Sequence, residues 1–245
     1  MSSTPADAAG RTFRPRLWPT VATLLALAVL VGLGTWQLQR LAWKEDLIAR
    51  AQAQLAAPAV PLPTDNLASL DYRRVVATGS YLHDAAFAFG FLAEDGRPGG
   101  RLITPLRLVD GRVILVDRGW MPEDLLPPNV PKGLRPEGMV TLEGIGRWRG
   151  DGTRAWMAPA DTPDQRRWYG WNIPSIQAAV GSPIVPVELI LERSEGPAGL
   201  PKAEPVSIDF PNDHLNYALT WYGLAVVLLA VYIMFSFTQV DGKQP

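Results

Sequence analysis

The chain contains no cysteine, which excludes disulfides, thiolate nucleophiles and cysteine-based zinc sites. Histidine is nearly as scarce, with only His83 and His214. No GxSxG, HExxH or phosphate-binding glycine loop occurs, so hydrolase, metalloprotease and nucleotide-binding readings have nothing to start from. His83, in "YLHDAAF", reads as a solvated turn residue beside Asp84, because no partners for catalysis or metal binding accompany it. Glu94 and Asp95 fall in a turn-rich loop and read as solvated carboxylates. A formal net charge of −1 gives no support for nucleic-acid binding. The composition therefore points away from an enzyme.

What is present is apolar and concentrated. Leu17–Leu38 and Leu215–Phe237 contain no Asp, Glu, Lys or Arg, and each exceeds the roughly 20 residues that cross a bilayer core. The first run is too long for the apolar part of a cleaved signal peptide and ends at Trp36, so it reads as a retained signal anchor. Trp18, Trp36 and Trp221 lie towards run ends, where amphipathic rings settle among headgroups. Arg11, Arg14 and Arg16 precede the first run, which predicts cytoplasmic termini and an extracytoplasmic segment between the spans.

The expected organisation is a tail at 1–16, a span at 17–38, an amphipathic stem helix at 39–55, a β-rich domain with a Pro/Gly linker at 56–213, a span at 214–237 and a tail at 238–245. The first tail is small, polar and basic and reads as unstructured. In the stem, Leu41, Ile48 and Leu55 recur every seven residues between charged ones, and "APAVPLP" ends the helix. Six short β-favouring runs follow: "YRRVVATGSYL", "AAFAFGFLA", "RLITPLRLV", "RVILVDRGW", "MVTLEGIGRW" and "VPVELILER". Glycine, proline and aspartate turns separate them, as in an antiparallel meander or barrel, and "IPSIQAAV" reads as a short helix. The fold class is thus two transmembrane α-helices flanking a mostly antiparallel β (α+β) extracytoplasmic domain.

Two strings offer binding chemistry. Asn212 or Asp213 can cap a helix that places His214 in its first turn. At 100° per residue, His214, Tyr217, Ala218, Trp221 and Ala225 share one face. That face joins a possible iron ligand to aromatic rings and small residues, and could hold a flat apolar macrocycle against the other span, where Ala28 and Gly32 form a small-xxx-small pair. The same residues also fit an interfacial polar side chain among ordinary belt aromatics. In "VDRGWMP", Arg118 and Trp120 form either a contact surface for a partner or an anionic propionate, or simply a strand end with a packed tryptophan. Trp148, Trp156, Trp168 and Trp171 suit packing or an amphipathic edge resting on lipid.

Together, "GTWQLQRLAWKEDLI", "YRRVVATGSYL", "VDRGWMP" and "NDHLNYALTWYGLA" resemble the Surfeit locus protein one family in order, spacing and two-span layout, from about Gly34 to the end of the second span. The resemblance implies an assembly factor for haem-copper cytochrome c oxidase that binds haem a transiently while it is placed in the catalytic subunit. It implies His214 as axial ligand to the haem iron, and Gly34, Trp36, Gln37, Arg40, Arg118, Gly119, Trp120, Tyr217 and Trp221 as signature residues. On that basis Tyr217 and Trp221 are expected to wall the macrocycle and Arg40 or Arg118 to neutralise propionates. Expected partners are the oxidase catalytic subunit, haem a synthase and the lipid bilayer. Richness in Ala, Pro, Gly and Arg is that of high-GC bacterial coding and points to a cell inner membrane. The rival readings are a scaffold that binds the oxidase subunit without haem and an unrelated two-span envelope protein.

Overall fold

The computed structural model describes residues 11–150, 152–207 and 212–239. The rest of the expected N-terminal tail, part of the linker and most of the C-terminal tail lie outside the described residues. The chain divides into two compact units, residues 1–49 with 209–245, and residues 50–208.

The first unit holds two helices long and apolar enough to cross a membrane, within α1 (Leu17–Ala56) and α3 (His214–Ser236). The span and the stem are one uninterrupted helix, α1, ending one residue beyond the expected boundary. Apart from Leu33, its half-buried or buried positions alternate by three and four: Thr20, Thr23, Leu27, Leu30, Gly34, Gln37, Leu41, Lys44, Ile48, Ala51 and Leu55. That spacing is the stripe a helix presents to a neighbour, and it includes the predicted stem positions Leu41, Ile48 and Leu55. The tail expectation needs correcting at its inner end. Strand β1 (Arg11–Phe13) pairs antiparallel with β10 (Phe237–Gln239), and the Phe13 and Phe237 rings meet edge to face at 5.5 Å. Each flank of the helix pair contributes one large apolar ring, and joining them satisfies backbone groups as well.

The second unit is built on β2 (Val60–Pro61), β3 (Arg73–Tyr81), β4 (Phe87–Phe89), β5 (Gly99–Leu108), β6 (Val113–Pro122), β7 (Met139–Trp148), β8 (Arg167–Trp168), α2 (Ile173–Val180) and β9 (Ile184–Leu191). The order β3-β7-β9-β6-β5 closes on itself through a β3–β5 pairing, which makes a five-stranded barrel. The meander alternative is excluded, because β9 inserts between β7 and β6 and runs parallel to β6. The β2–β3 and β4–β8 pairs are also parallel, and the remaining pairs in this sheet are antiparallel. Inward residues from every barrel strand, including Val75, Leu106, Ile114, Val116, Leu142 and Leu189, form one core. On the opposite face of β5, β6 and β9, Ile103, Leu115 and Ile184 pack beneath Phe87, Trp168, Trp171 and Ile176. Strand β6 is therefore buried on both faces along its whole length, which explains its run "VILV" without polar alternation. Of the tryptophans expected to pack or rest on lipid, Trp168 and Trp171 are buried, Trp148 is half-buried and Trp156 is exposed.

Candidate functional site

Helix α3 starts at His214 with Asp213 at the capping position. The Asp213 side chain makes no capping hydrogen bond; its carbonyl accepts from the Tyr217 amide at 3.1 Å. Neither expected cap therefore works through its side chain. Asn212 Oδ1 is instead buried without a hydrogen-bond donor among the described residues.

His214 Nδ1 lies 2.7 Å from Gln37 Oε1. An amide oxygen only accepts, so Nδ1 carries a hydrogen, and in the neutral form of the ring Nε2 is the nitrogen with the lone pair. No described residue hydrogen-bonds Nε2. This is the arrangement in which a second group fixes the tautomer and aim of a ligating imidazole. Gln37 stands on the inner stripe of α1, three residues after Gly34. It belonged to the expected signature, but its bond to His214 was not foreseen. A polar residue at seam spacing in an otherwise apolar helix was the available signal.

The contact between the helices differs from the expected one. A Cβ on Gly34 would lie 2.9 Å from the Tyr222 ring, whereas Gly32 faces open space and Ala28 is exposed. The close approach is thus at Gly34, not at an Ala28–Gly32 pair, because the inner stripe advances by three and four and misses both of those positions. On α3, Ala218 and Ala225 are buried and His214, Trp221 and Tyr222 half-buried, while Tyr217 is 57% exposed. The face expected to centre on His214 is rotated towards Tyr222, which leaves Tyr217 on the outer flank. The seam is also tied by hydroxyls. Thr35 Oγ1 donates to Val31 O, so the Tyr222 hydroxyl donates to Thr35 at 3.1 Å. By the same logic Tyr232 donates to Thr20 at 2.7 Å.

The two expected propionate partners belong to different units. Arg40 lies over the ring of Trp43 at 4.0 Å. Arg118 is 1% exposed inside the β-unit; its Nε donates to Glu195 Oε2 at 2.7 Å, and its guanidinium lies 4.9 Å from the centre of the Tyr81 ring. Arg118 Nη1 and Nη2 are buried without acceptors among the described residues. Burial, with Glu195 adding to it, pushes the Tyr81 phenol far above its usual range, so it stays a donor to that carboxylate. Trp120 is buried and donates from Nε1 to Leu92 O at 2.8 Å. Gly119 has φ of 114°, and Lys202 O lies 2.3 Å from where its Cβ would be. In this conformation "RGW" is an interior seam onto which residue 202 pairs, rather than an open contact surface.

Outside these strings, His83 is half-buried and its Nε2 lies 2.8 Å from Pro136 O, so it is not the solvated turn residue expected. Glu94 forms an ion pair with Lys202. Nothing in the sequence signalled the cluster in which the buried carboxylates Asp117 and Glu188 pair with the half-buried Arg101 and Arg149. Among the described residues no three His, Asp or Glu side chains gather as a metal site.

Residues 24–226 match the model of the SURF1 family. The chain is 36% identical to a SURF1-like protein of Monosiga brevicollis over 86% of its own length and 85% of that protein's. It is 31% identical to Surfeit locus protein 1 of Takifugu rubripes over 82% and 90%, and 30% identical to Surfeit locus protein 1 of Homo sapiens over 82% and 72%. With two apolar spanning helices flanking a β-rich unit and the family pattern covering most of its length, this membrane protein belongs to the SURF1 family.

Proposed function

We propose that the chain holds haem a transiently at His214 and assists its insertion into the catalytic subunit of cytochrome c oxidase. The SURF1 family supports the broader part of this reading, a role as a cytochrome c oxidase assembly factor. The haem-binding part rests on one observation, the Gln37 bond to His214 Nδ1, which leaves Nε2 without a hydrogen-bond partner among the described residues.

The residues fit the group. A haem brings four equatorial nitrogens of its own and needs only an axial ligand from the protein, so a lone histidine suffices where a naked metal ion would need a cluster. Gln37 aims the imidazole, and Trp221 and the exposed Tyr217 offer aromatic surface for a flat apolar ring. With Tyr222 closing the seam at Gly34, the exposed Tyr217 on the outer flank of α3 is the aromatic surface that would be open to such a ring. Arg40 is the candidate propionate partner in the same unit, while Arg118 would have to exchange Glu195 for a propionate. No bond-making step is required, since one replaceable axial ligand suits a carrier that must bind and release. In this reading both termini are cytoplasmic, the β-unit is periplasmic and the membrane is the cell inner membrane; a C-terminal reporter should then behave as cytoplasmic.

The test is the absorption spectrum of protein purified with co-expressed haem a biosynthesis. Wild type should carry haem, and His214→Ala should lose it while remaining folded. Equal occupancy would sink the haem reading and leave a scaffold for the oxidase subunit. The buried positions of Arg118 and Trp120 give that scaffold no surface at "RGW".

A further inference from the structure

Six consecutive residues between Arg154 and Asp161 carry no polar side-chain group except the Trp156 indole N–H: Ala155, Trp156, Met157, Ala158, Pro159 and Ala160. They are nevertheless at the surface, with Trp156 93% exposed and Met157 71%. Surface turns are normally built from Gly, Asn, Asp and Ser, and a tryptophan this exposed loses the burial that drives its packing elsewhere.

The turn is also braced from behind. Ala158 N donates to Ala155 O at 2.9 Å. Arg154 Nη2 donates to the carbonyls of Ala158, at 3.2 Å, and of Pro159. Its Nη1 donates to Asp161 Oδ2 at 3.3 Å, and Asp161 Oδ1 accepts from the Tyr169 amide at 2.8 Å. Half of the segment's carbonyls are thereby satisfied internally, and Pro159 has no N–H to satisfy. Internal satisfaction of backbone polar groups is what a segment needs before it leaves water.

We propose that the Ala155–Ala160 turn is a membrane-surface anchor, with Trp156 and Met157 entering the headgroup region of the bilayer. Size favours lipid over a protein partner. A tryptophan buries roughly 150–250 Å², so this pair falls well short of the ~800 Å² per partner of a specific protein interface. Tethering favours it too, because chain leading to a membrane span leaves the β-unit at both ends and keeps the turn at high effective concentration near the bilayer. Tryptophan is the side chain enriched at that level.

The absence of native cysteine makes the test direct. Met157→Cys in the full chain is labelled with an environment-sensitive fluorophore in nanodiscs of phosphatidylethanolamine and phosphatidylglycerol. Val109→Cys, at an exposed position beside the β5–β6 turn, serves as reference. The label at 157 should emit at shorter wavelength and be quenched several-fold more by lipids bearing a shallow nitroxide than by aqueous iodide, with the reverse at 109. Adding Trp156→Ala should weaken the lipid quenching several-fold. Iodide quenching at 157 equal to that at 109, or equal lipid quenching at both, overturns the proposal. Protection of 157 that appears only when oxidase subunits are added also overturns it, in favour of a protein-docking turn.

Discussion

The helix pair and the β-unit handle buried polar groups in opposite ways. Between α1 and α3 the polar contacts run to uncharged partners, Tyr232 to Thr20, Tyr222 to Thr35 and His214 to Gln37. Inside the β-unit they are charged, with Asp117, Arg118, Arg167 and Glu188 all buried and each paired with an opposite charge. Lipid offers an ionised group neither water nor counterion, whereas a small barrel can supply a partner from the next strand. The β-unit should therefore respond strongly to pH and to the loss of a charged partner.

The largest effect is expected where the β-unit is tightest. Gly119→Ala combines a left-handed backbone with a clash on Lys202 O, and should destabilise by roughly 3–5 kcal/mol. Thermal denaturation of the detergent-solubilised full chain, followed by tryptophan emission, should show a fall in Tm on the order of 10 °C. Gly32→Ala, facing open space, should leave Tm within about 1–2 °C. Equal shifts would erase the contrast.

Next in size is a pH dependence of the β-unit. Burial pushes the Glu188 carboxyl from 4.5 up to about 7, with the Asp117 carboxylate adding to this and Arg149 and Arg101 opposing it. Below pH 4.5 the group is protonated folded or unfolded and carries no penalty. Between 4.5 and about 7 the unfolded chain ionises first, so stability falls as pH rises, by an order of 3 kcal/mol in all. Urea titrations across that range should show the decline, and Glu188→Gln should flatten it. A wild type whose stability rises over the same interval would place the charge balance elsewhere.

Both spans, α2 and β7 were legible from sequence, because an uncharged run of bilayer length and a capped or alternating segment carry their own signals. The rotation of the helices was not. A helix apolar all round has no preferred face, so neither Gly34 over Gly32 nor Tyr222 over Tyr217 could be read from periodicity. Barrel closure escaped as well, since pairing β3 with β5 and slotting β9 beside β6 are long-range choices between strands of similar composition. The charge cluster was hidden because Asp117 and Glu188 are ordinary carboxylates until two strands place them side by side. Of the candidate site, His214 stood out in the sequence as a candidate ligand, but the Gln37 bond required both helices in register.

That bond gives the next prediction. Gln37→Leu removes the acceptor that orients His214 but leaves the proposed ligand itself. Haem a affinity, measured by spectrophotometric titration, should drop roughly 10–100-fold, the usual effect of losing such a partner, with a much smaller change in Tm than Gly119→Ala. Unchanged affinity would mean that the Gln37 contact is purely structural, and the contrast between a functional helix seam and a structural β-unit would weaken.

The smallest and sharpest comparison removes the same atom from each region. Tyr81 donates its hydroxyl to both Glu195 oxygens at 3.0 Å, and the same carboxylate holds Arg118. Tyr81→Phe deletes a charge-assisted bond and should cost about 1.5–3 kcal/mol. Tyr232→Phe deletes a neutral bond to Thr20, and Thr20 keeps its own bond to Arg16 O. Hydrogen bonds between membrane helices average about 0.6 kcal/mol, because the separated helices find other partners. Unfolding in mixed micelles should therefore rank Tyr81→Phe well above Tyr232→Phe. If the order were reversed, the seam between α1 and α3 would be held by its hydroxyls rather than by Gly34 packing on Tyr222.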